Sequence, residues 1–305
     1  MLRPLVLYHA RCPDGMAAAW VVRKFFTEKG LDGKYTDAEF VPTDYGTPLP
    51  RDFEGRAVYC VDFCPDRPEH LLRLADGCPA LTIIDHHKTT PPAMALLAGR
   101  PNVQFVYDKN HSGGFLCWEH FFPDADPPPL VRYTQDRDLW TWKLPRSREV
   151  SAYLSTLPWD DFAAWTEADD TLRAAGERPH ESHGVVVAGR TVLALQRRLI
   201  EDHKLQVFET ELDGHAVPAV NCSCDAIISD LAGELAAGRA FAVAWYVRHD
   251  GQAKVSLRSR GETGIDVTTV TTRYGGGGHA QAGGFQVPAD ALPFRTARPQ
   301  SGGLS

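Results

Sequence analysis

The 305-residue sequence contains no run of about 18 consecutive apolar residues, the length that a membrane-spanning helix requires. Its first segment reaches charged residues after a short apolar stretch, which is not typical of a secretory signal. The seven cysteines are odd in number, widely spaced and form no pair of CxxC motifs, which argues against a zinc ribbon. We therefore expect a cytoplasmic protein with reduced thiols and without a membrane partner.

The sequence also lacks an excess of positive charge. It has 32 lysines and arginines against 39 acidic residues, a formal net charge of −7. A long nucleic acid is bound through many phosphates and requires a basic surface, so we expect no such partner. A short nucleotide site stays open, because clustered carboxylates can hold cations that contact phosphate. The hydrophobic content of 43% indicates a folded chain, and the length predicts two domains.

Strand and helix patterns alternate in the first part of the chain. Residues 4–9 form a short apolar run, and residues 14–29 carry apolar side chains at mostly helical spacing. Residues 57–63 and 80–85 predict two further buried strands, with a helix over 65–75 between them. This alternation predicts an α/β fold with a mainly parallel sheet and helices on both faces.

The pattern becomes helical from residue 112 and changes again near residue 206. Helices are predicted at 113–122, 150–175 and 181–204. A second, smaller α/β unit follows, with strands at 206–210, 216–220, 241–247 and 253–259 and a helix at 227–237. We expect a first domain over 1–180, a helical linker over 181–205, a second domain over 206–290 and a flexible tail over 291–305.

Acidic and imidazole side chains follow the predicted parallel strands. His9 and Asp14 come after the first strand, Asp62 after the second, and Asp85-His86-His87 end the third. The carboxyl ends of parallel strands meet at one edge of a sheet, so we expect these groups to converge there. Any one of them could be an ordinary surface group, and Asp14 could cap the helix that begins there. The set as a whole suits a hard or borderline divalent ion.

This donor set leads to the hypothesis of a dinuclear centre. Carboxylate and imidazole ligands favour Mn²⁺ over a structural zinc site, which usually recruits thiolates. Two ions about 3.5–4 Å apart can activate a water molecule for in-line attack on phosphorus. Asp62 is the natural bridging ligand between them.

A glycine run near the end of the chain is a second candidate site. Gly276, Gly277 and Gly278, which precede His279, can bring backbone N–H groups close to a phosphate. Arg258 at the end of a predicted strand offers a planar fork for phosphate. The alternative for the glycine run is a mobile loop.

Five motifs occur in order along the chain: YHARCPDGMAAAW, VDF, IDHHKT, DRDLW and RYGGGGHAQAGGF. Together they resemble the DHH phosphoesterase superfamily, in the branch with a C-terminal DHHA1 domain. The resemblance implies a parallel-sheet DHH domain, a helical linker and a smaller α/β DHHA1 domain. It also implies a Mn²⁺-dependent phosphodiesterase or phosphatase, and a homodimer.

The resemblance assigns roles residue by residue. It implies metal ligation by His9, Asp14, Asp62, His86 and Asp136. We choose Asp136 over Asp138 because Trp140 follows it by four positions, as an aromatic residue does in the family, and Asp138 stays an alternative. His87 is expected to contact the scissile phosphate or assist proton transfer, and Asp85 to orient an imidazole.

The first motif departs from the family pattern. Many members carry two aspartates two residues apart there, whereas Cys12 precedes Asp14 in this chain. The Cys12 thiolate is a candidate ligand, although Mn²⁺ prefers oxygen, and the alternative is a small buried residue.

The leading interpretation is a phosphodiesterase that hydrolyses short oligonucleotides, similar to nanoRNases, through a hydroxide activated by two Mn²⁺ ions. Mg²⁺ or Co²⁺ are alternative cofactors. Arg258, Gly276, Gly277, Gly278 and His279 are expected to contact the substrate. Other candidate reactions are hydrolysis of a cyclic dinucleotide, removal of phosphate from 3′-phosphoadenosine 5′-phosphate and DNA cleavage of the RecJ kind. A nucleotide-binding module without catalysis is the alternative from another class.

Trp140 and Trp142 are interpreted as packing beneath the metal site, with a frame for a nucleobase as the alternative.

Overall fold

The computed structural model describes residues 3–28 and 38–295. The chain divides into two compact units, Met1–Leu193 and Ala194–Ser305. The division falls within a long helix, Gly184–Lys204, that corresponds to the predicted linker. Of the expected flexible tail, residues 296–305 lie outside the described residues. No helix within the described ranges has both the length and the apolar character needed to cross a membrane.

A parallel sheet forms the centre of the first unit. Its five strands lie in the order β2-β1-β3-β4-β5, and every neighbouring pair is parallel. The strands are β1 (Leu5–His9), β2 (Glu39–Thr43), β3 (Ala57–Val61), β4 (Ala80–Asp85) and β5 (Val103–Tyr107). The predicted parallel α/β sheet is therefore confirmed. The sequence pattern missed β2 and β5, which are the short edge strands and are only partly buried.

Both faces of this sheet are covered by helices. Successive side chains of a strand point to opposite faces, so Val6 and Tyr8 join one apolar cluster while Leu5 and Leu7 join the other. The helices are α1 (Pro13–Glu28), α2 (Pro68–Gly77), α3 (Thr90–Leu96), α4 (Gly113–Phe121), α5 (Pro129–Asp138), α6 (Ser147–Leu154) and α7 (Phe162–Ala175). Helices α1 and α4 to α7 contribute to the first cluster, and α2 and α3 to the second.

The helix predicted over 150–175 is wrong, because the structure contains two helices there. Helix α6 ends at Leu154 and α7 begins at Phe162. Pro158 lies between them, and the Asp161 side chain caps α7 by accepting hydrogen bonds from the backbone N–H of Ala163 (2.9 Å) and Ala164 (3.2 Å). The apolar periodicity continues across residues 155–161, and it concealed the proline and the helix cap that separate the two helices.

The described part of the second unit contains a mixed sheet and, besides α8, two α-helices. Its strands are β6 (Phe208–Leu212), β7 (His215–Asn221), β8 (Ala242–Val247), β9 (Gln252–Arg258), β10 (Gly277–His279) and β11 (Ala282–Pro288), and its helices, after α8 (Gly184–Lys204), are α9 (Asp225–Leu235) and α10 (Thr268–Thr271). The strand order is β10-β11-β9-β8-β7-β6, in which β7 and β8 are parallel and the other pairs antiparallel. Helices α8 and α9 pack on one face of this sheet and α10 on the other.

Candidate functional site

Three adjacent strands of the parallel sheet end in polar residues. His9 is the last residue of β1, Asp62 follows β3 directly, and Asp85 is the last residue of β4. Asp62 has a positive φ of 51°, a conformation that only a few per cent of non-glycine residues adopt. Its backbone N–H donates to the carbonyl of Ile84 at 2.9 Å, so β4 holds this turn in place. The convergence expected from the strand ends is present in the structure.

The Asp62 carboxylate lies at the centre of the cluster. Its Oδ2 is 3.4 Å from His9 Nδ1, and its Oδ1 is 3.2 Å from His86 Nε2. The two oxygens therefore face different imidazoles. Both oxygens are buried, and neither makes a hydrogen bond of acceptable geometry to any described residue. Buried carboxylate oxygens are normally satisfied, so a pair left in this state indicates a ligand.

Two further carboxylates lie close to His86. Asp14 Oδ2 is 3.7 Å from His86 Nε2, and Asp138 Oδ2 is 3.6 Å from the same atom. The ligand atoms of these three residues all lie within 4.8 Å of one another. Asp138 Oδ2 is also buried without a hydrogen bond among the described residues. Asp138 is therefore a candidate metal ligand together with Asp14 and His86.

Asp136, the residue that we chose from the sequence, has a different environment. Its carboxylate accepts hydrogen bonds from the backbone N–H of Lys143 (2.8 Å) and Leu144 (3.1 Å) and from the hydroxyls of Thr141 and Ser147. The structure does not bring Asp136 into any of the potential ligand groups, and four donors already occupy its oxygens. We therefore replace Asp136 with Asp138 in the proposed ligand set.

Asp85 and His87 form a hydrogen-bonded pair within the cluster. Asp85 is fully buried, and its Oδ1 lies 2.7 Å from His87 Nδ1. The Thr90 hydroxyl donates to the other carboxylate oxygen. Because Asp85 accepts from Nδ1, this contact selects the tautomer of His87 in which Nε2 can accept a proton. The expectation that Asp85 orients an imidazole agrees with this geometry.

Cys12 lies on the His9 side of the cluster. Its Sγ and the ligand atoms of His9 and Asp62 are within 4.8 Å of one another. Burial raises the pKa of the thiol to about 11, and the neighbouring Asp62 charge contributes to the rise. The position of Cys12 is compatible with ligation, which stays a prediction.

The N-terminus of α4 holds the Asp14 carboxylate and packs closely against Asp62, a contribution that sequence reasoning missed. The backbone N–H groups of Gly113 and Gly114 donate to Asp14 at 2.6 and 3.0 Å. A Cβ on Gly113 would lie 2.6 Å from the Cβ of Asp62, so only glycine fits there. The signal was the Ser-Gly-Gly sequence after β5, in which Ser112 caps the helix by accepting from the N–H of Phe115 at 3.3 Å.

The electrostatics of the cluster reflect its crowding. Burial and the charges of Asp62 and Asp138 raise the pKa of Asp14 well above its ordinary value. Burial opposes ionisation of Asp62, but the imidazoles of His86 and His9 outweigh it and hold the pKa of Asp62 well below its ordinary value. Burial lowers the pKa of His86, but Asp62 and Asp138 outweigh it and raise that pKa. Confined like charges of this kind are stabilised by a bound cation.

The donor set fits divalent metal ions. Its carboxylate and imidazole atoms belong to the types that Mn²⁺ and similar ions accept. Both oxygens of Asp62 and Oδ2 of Asp138 are buried and accept no hydrogen bond from a described residue. Asp62 belongs to the group with His9 and Cys12 and also to the group with the DHH residues. This position fits a ligand shared by two ions.

In the second unit, Arg258 and His279 lie on one face of the mixed sheet. Ala282 of β11 pairs with Arg258 on one side and with His279 on the other. Directly opposed residues of a sheet point to the same face, and two strand spacings separate the pair by about 10 Å. Arg258 Nη2 donates to Ser229 Oγ at 2.8 Å, so a contact from α9 holds the guanidinium.

Two residues of the glycine run, Gly277 and Gly278, lie in the edge strand β10, so the alternative of a mobile loop does not describe them. Gly277 and Gly278 pair with β11, and the Gly276 N–H donates to the carbonyl of Thr271 at 2.9 Å. A Cβ on Gly276 would lie 2.1 Å from the carbonyl oxygen of Gly284. Close approach of two backbones thus requires this glycine. Substrate contact by the run stays a prediction.

Comparisons with known proteins agree with this architecture. A family model described as the DHHA1 domain matches residues 223–296. The uncharacterized protein R106 of Acanthamoeba polyphaga mimivirus is 27% identical over 313 residues, which cover 95% of this chain and 69% of that protein.

Solved structures share the fold. RecJ from Thermus thermophilus, in complex with Mn²⁺, matches with a TM-score of 0.50 and 17% identity, over 95% of this chain and 50% of the RecJ chain. The pGpG-specific phosphodiesterase PggH from Vibrio cholerae matches with a TM-score of 0.48 and 12% identity, over 95% of this chain and 94% of that chain. Residues 223–296 therefore match a DHHA1 domain, and the chain shares its fold with RecJ.

Proposed function

We propose that this protein is a divalent-metal-dependent phosphoesterase that acts on nucleotide substrates. The observation that carries the proposal is the Asp62 carboxylate, whose two buried oxygens face different imidazoles and make no hydrogen bond to a described residue. A buried carboxylate that only stabilised the fold would be expected to accept hydrogen bonds of good geometry. The shared fold with RecJ, a protein crystallised with Mn²⁺, supports the same reaction class.

Five residues would hold the ions: His9, Asp14, Asp62, His86 and Asp138, with Cys12 as a further candidate. When bound, divalent cations supply Lewis-acid stabilisation of the phosphoryl oxygens and acidify water. Each oxygen of Asp62 lies beside a different group of donors, so this residue would be shared. The N–H groups of Gly113 and Gly114 keep the Asp14 carboxylate in a fixed orientation.

His87 is the proposed group for contact with the scissile phosphate or for proton transfer. Asp85 holds its Nδ1 at 2.7 Å, which fixes the plane of the ring. An imidazole with one nitrogen bonded in this way can accept or donate a proton at Nε2 without reorienting. Burial of the surrounding carboxylates limits the entry of bulk water.

The substrate that we propose first is a short oligonucleotide, cleaved with Mn²⁺ as in nanoRNases. The net charge of −7 agrees with a substrate of few phosphates. Arg258, His279 and the glycines at 276–278 would contact a phosphate or ribose away from the scissile bond. A cyclic dinucleotide and 3′-phosphoadenosine 5′-phosphate are the alternatives, and the resemblance also favours a homodimer.

One experiment tests the proposal and separates these substrates. The purified protein is incubated with Mn²⁺, Mg²⁺ or Co²⁺ and with labelled dinucleotides, longer oligomers, cyclic dinucleotides and the bisphosphate. We expect turnover that EDTA abolishes and that Asp62→Asn reduces to background. Equal turnover by Asp62→Asn would contradict the metal centre, and binding without turnover would support the module without catalysis. Light scattering on the same sample tests the homodimer.

A further inference from the structure

The loop after Asp138 carries two tryptophans in an unusual backbone conformation. Trp140 has a φ of 57° and Trp142 a φ of 53°. Bulky residues are rarely found in this left-handed region, because it brings their Cβ close to the backbone. Strained residues of this kind persist where the surrounding structure holds them, and they cluster at functional sites.

Asp136 is the residue that holds this loop. Its carboxylate accepts from the N–H groups of Lys143 and Leu144, and its carbonyl accepts from the N–H of Thr141 at 3.0 Å. The side chain and the backbone carbonyl of one buried residue therefore both hold the loop. Asp136 is a positioning residue for the tryptophans and not a metal ligand in our assignment.

The tryptophans are combined with two guanidinium groups. The Arg137 guanidinium carbon lies 4.3 Å from the centre of the Trp140 ring, and that of Arg148 lies 4.2 Å from the Trp142 ring. The two indoles meet edge to face at 5.1 Å. Arginine over an aromatic ring is an attractive contact, and the combination presents planar surfaces with positive charge. We call these four residues the Trp140 platform.

The platform is accessible at Trp140, and Trp142 is half-buried. Trp140 is 41% exposed, whereas Trp20, Trp118 and Trp165 are nearly or fully buried. The expectation that Trp140 packs beneath the metal site is thus wrong, because this indole is among the exposed side chains. Its backbone is two residues from the proposed ligand Asp138, at most about 7 Å along an extended chain. That length is comparable with the distance from phosphate to base within one nucleotide.

We propose that the Trp140 platform stacks on one nucleobase of the substrate, beside the metal centre. This inference rests on the proposed function and specifies which part of a nucleotide the enzyme recognises. Aromatic rings and guanidinium planes are the groups on which proteins stack unpaired bases, and stacking accepts any base because every base has a π face. The platform would therefore select for a base next to the scissile phosphate without selecting its identity.

The test is a thermodynamic cycle on kcat/KM, in which the protein and the substrate are altered separately and together. A diribonucleotide is compared with two analogues, each with an abasic ribose at one position, on the unaltered protein and on Trp140→Ala. We expect loss of one of the two bases to lower kcat/KM of the unaltered protein by about 5- to 150-fold, the range for stacking one base. Trp140→Ala should lower kcat/KM for the intact dinucleotide by the same factor. For the analogue that lacks the stacked base, Trp140→Ala and the unaltered protein should have the same kcat/KM.

Controls separate stacking from a structural role. Trp140→Phe should restore most of kcat/KM because it keeps an aromatic face, and Leu205→Ala, at a side chain 86% exposed in the second unit, should match the unaltered protein. Circular dichroism checks that each variant is folded. Independent, multiplying losses from the abasic position and Trp140→Ala would overturn the proposal, and so would a Trp140→Phe variant as impaired as Trp140→Ala.

A failure of the proposed function gives a different result. If the unaltered protein cleaves none of the dinucleotides, the platform is tested by calorimetric titration with AMP and with ribose 5-phosphate. Tighter binding of AMP that Trp140→Ala abolishes would still support base stacking. Equal affinity for the two compounds, or no binding of either, would overturn it.

Discussion

The edge of the parallel sheet and the face of the mixed sheet differ in how their polar groups are satisfied. At the parallel edge, oxygens of Asp62 and Asp138 are buried and make no hydrogen bond to a described residue. On the mixed sheet, the Arg258 guanidinium is half-buried and bonded to Ser229, and the Gly276 N–H is bonded to Thr271. Buried carboxylate oxygens that accept no hydrogen bond are suited to binding a cation, whereas satisfied groups at partial exposure suit reversible contact with a substrate. We therefore expect changes at the first region to affect chemistry and changes at the second to affect binding.

Asp62→Asn should have the largest effect, because it removes the charge shared by both donor groups. We expect kcat/KM to fall by about 10³-fold or more, since metal stabilisation of a phosphoryl transition state is worth several kcal/mol. Steady-state kinetics with saturating Mn²⁺ measure the change. Asp170→Asn, at an exposed position of α7, is the matched control and should retain full activity. Normal activity of Asp62→Asn would show that the edge of the parallel sheet does not carry the chemistry.

Asp138→Asn and Asp136→Asn form a matched pair within α5. Asp138→Asn should weaken binding of a divalent cation by at least about 10- to 100-fold, the loss that follows even from removing a group that supports a ligand. Asp136→Asn should lower the free energy of unfolding by about 2–4 kcal/mol, because it disrupts charged hydrogen bonds to four donors. Calorimetric titration and urea denaturation measure the two quantities.

The contrast between the two variants decides the assignment. Asp138→Asn should leave the urea midpoint almost unchanged, since Asp138 Oδ2 makes no hydrogen bond to a described residue. If Asp136→Asn instead abolished cation binding while Asp138→Asn did not, the choice made from the sequence would be restored.

Arg258→Ala tests the second region. We expect KM for a dinucleotide to rise by about tenfold with little change in kcat, because a charge-assisted contact to phosphate is lost away from the scissile bond. Arg260→Ala, at the exposed position two residues later, is the control. A fall in kcat at constant KM would place Arg258 in the chemistry and remove the distinction between the regions.

Cys12→Ser should have the smallest effect. A thiolate ligand favours softer ions, so we expect affinity for Co²⁺ to fall several-fold more than affinity for Mn²⁺. Calorimetric titration with each ion measures the difference, and the near-ultraviolet absorption of a cobalt–thiolate bond should disappear. Identical titrations for both proteins would indicate that Cys12 only fills space.

Much of the first unit could be predicted from the sequence. Its strands β1, β3 and β4 are buried on both faces, so they appear as short continuous apolar runs, and each polar residue that follows marks a strand end. His9, Asp62 and the DHH triplet were located in this way. Strands β2 and β5 were missed because edge strands are partly exposed and carry a weaker apolar pattern.

The sequence by itself determined the residue types of the site, their order along the chain and the parallel sheet edge where they meet. Only the tertiary structure favours Asp138 over Asp136 in the proposed ligand set, because two carboxylates two residues apart on α5 differ only in which groups surround them. It also decided that Gly113 and Gly114 hold Asp14, and that Gly277 and Gly278 of the glycine run lie in a strand. These outcomes depend on contacts between residues far apart in the chain, such as the one between Gly113 and Asp14, and no local pattern records such contacts.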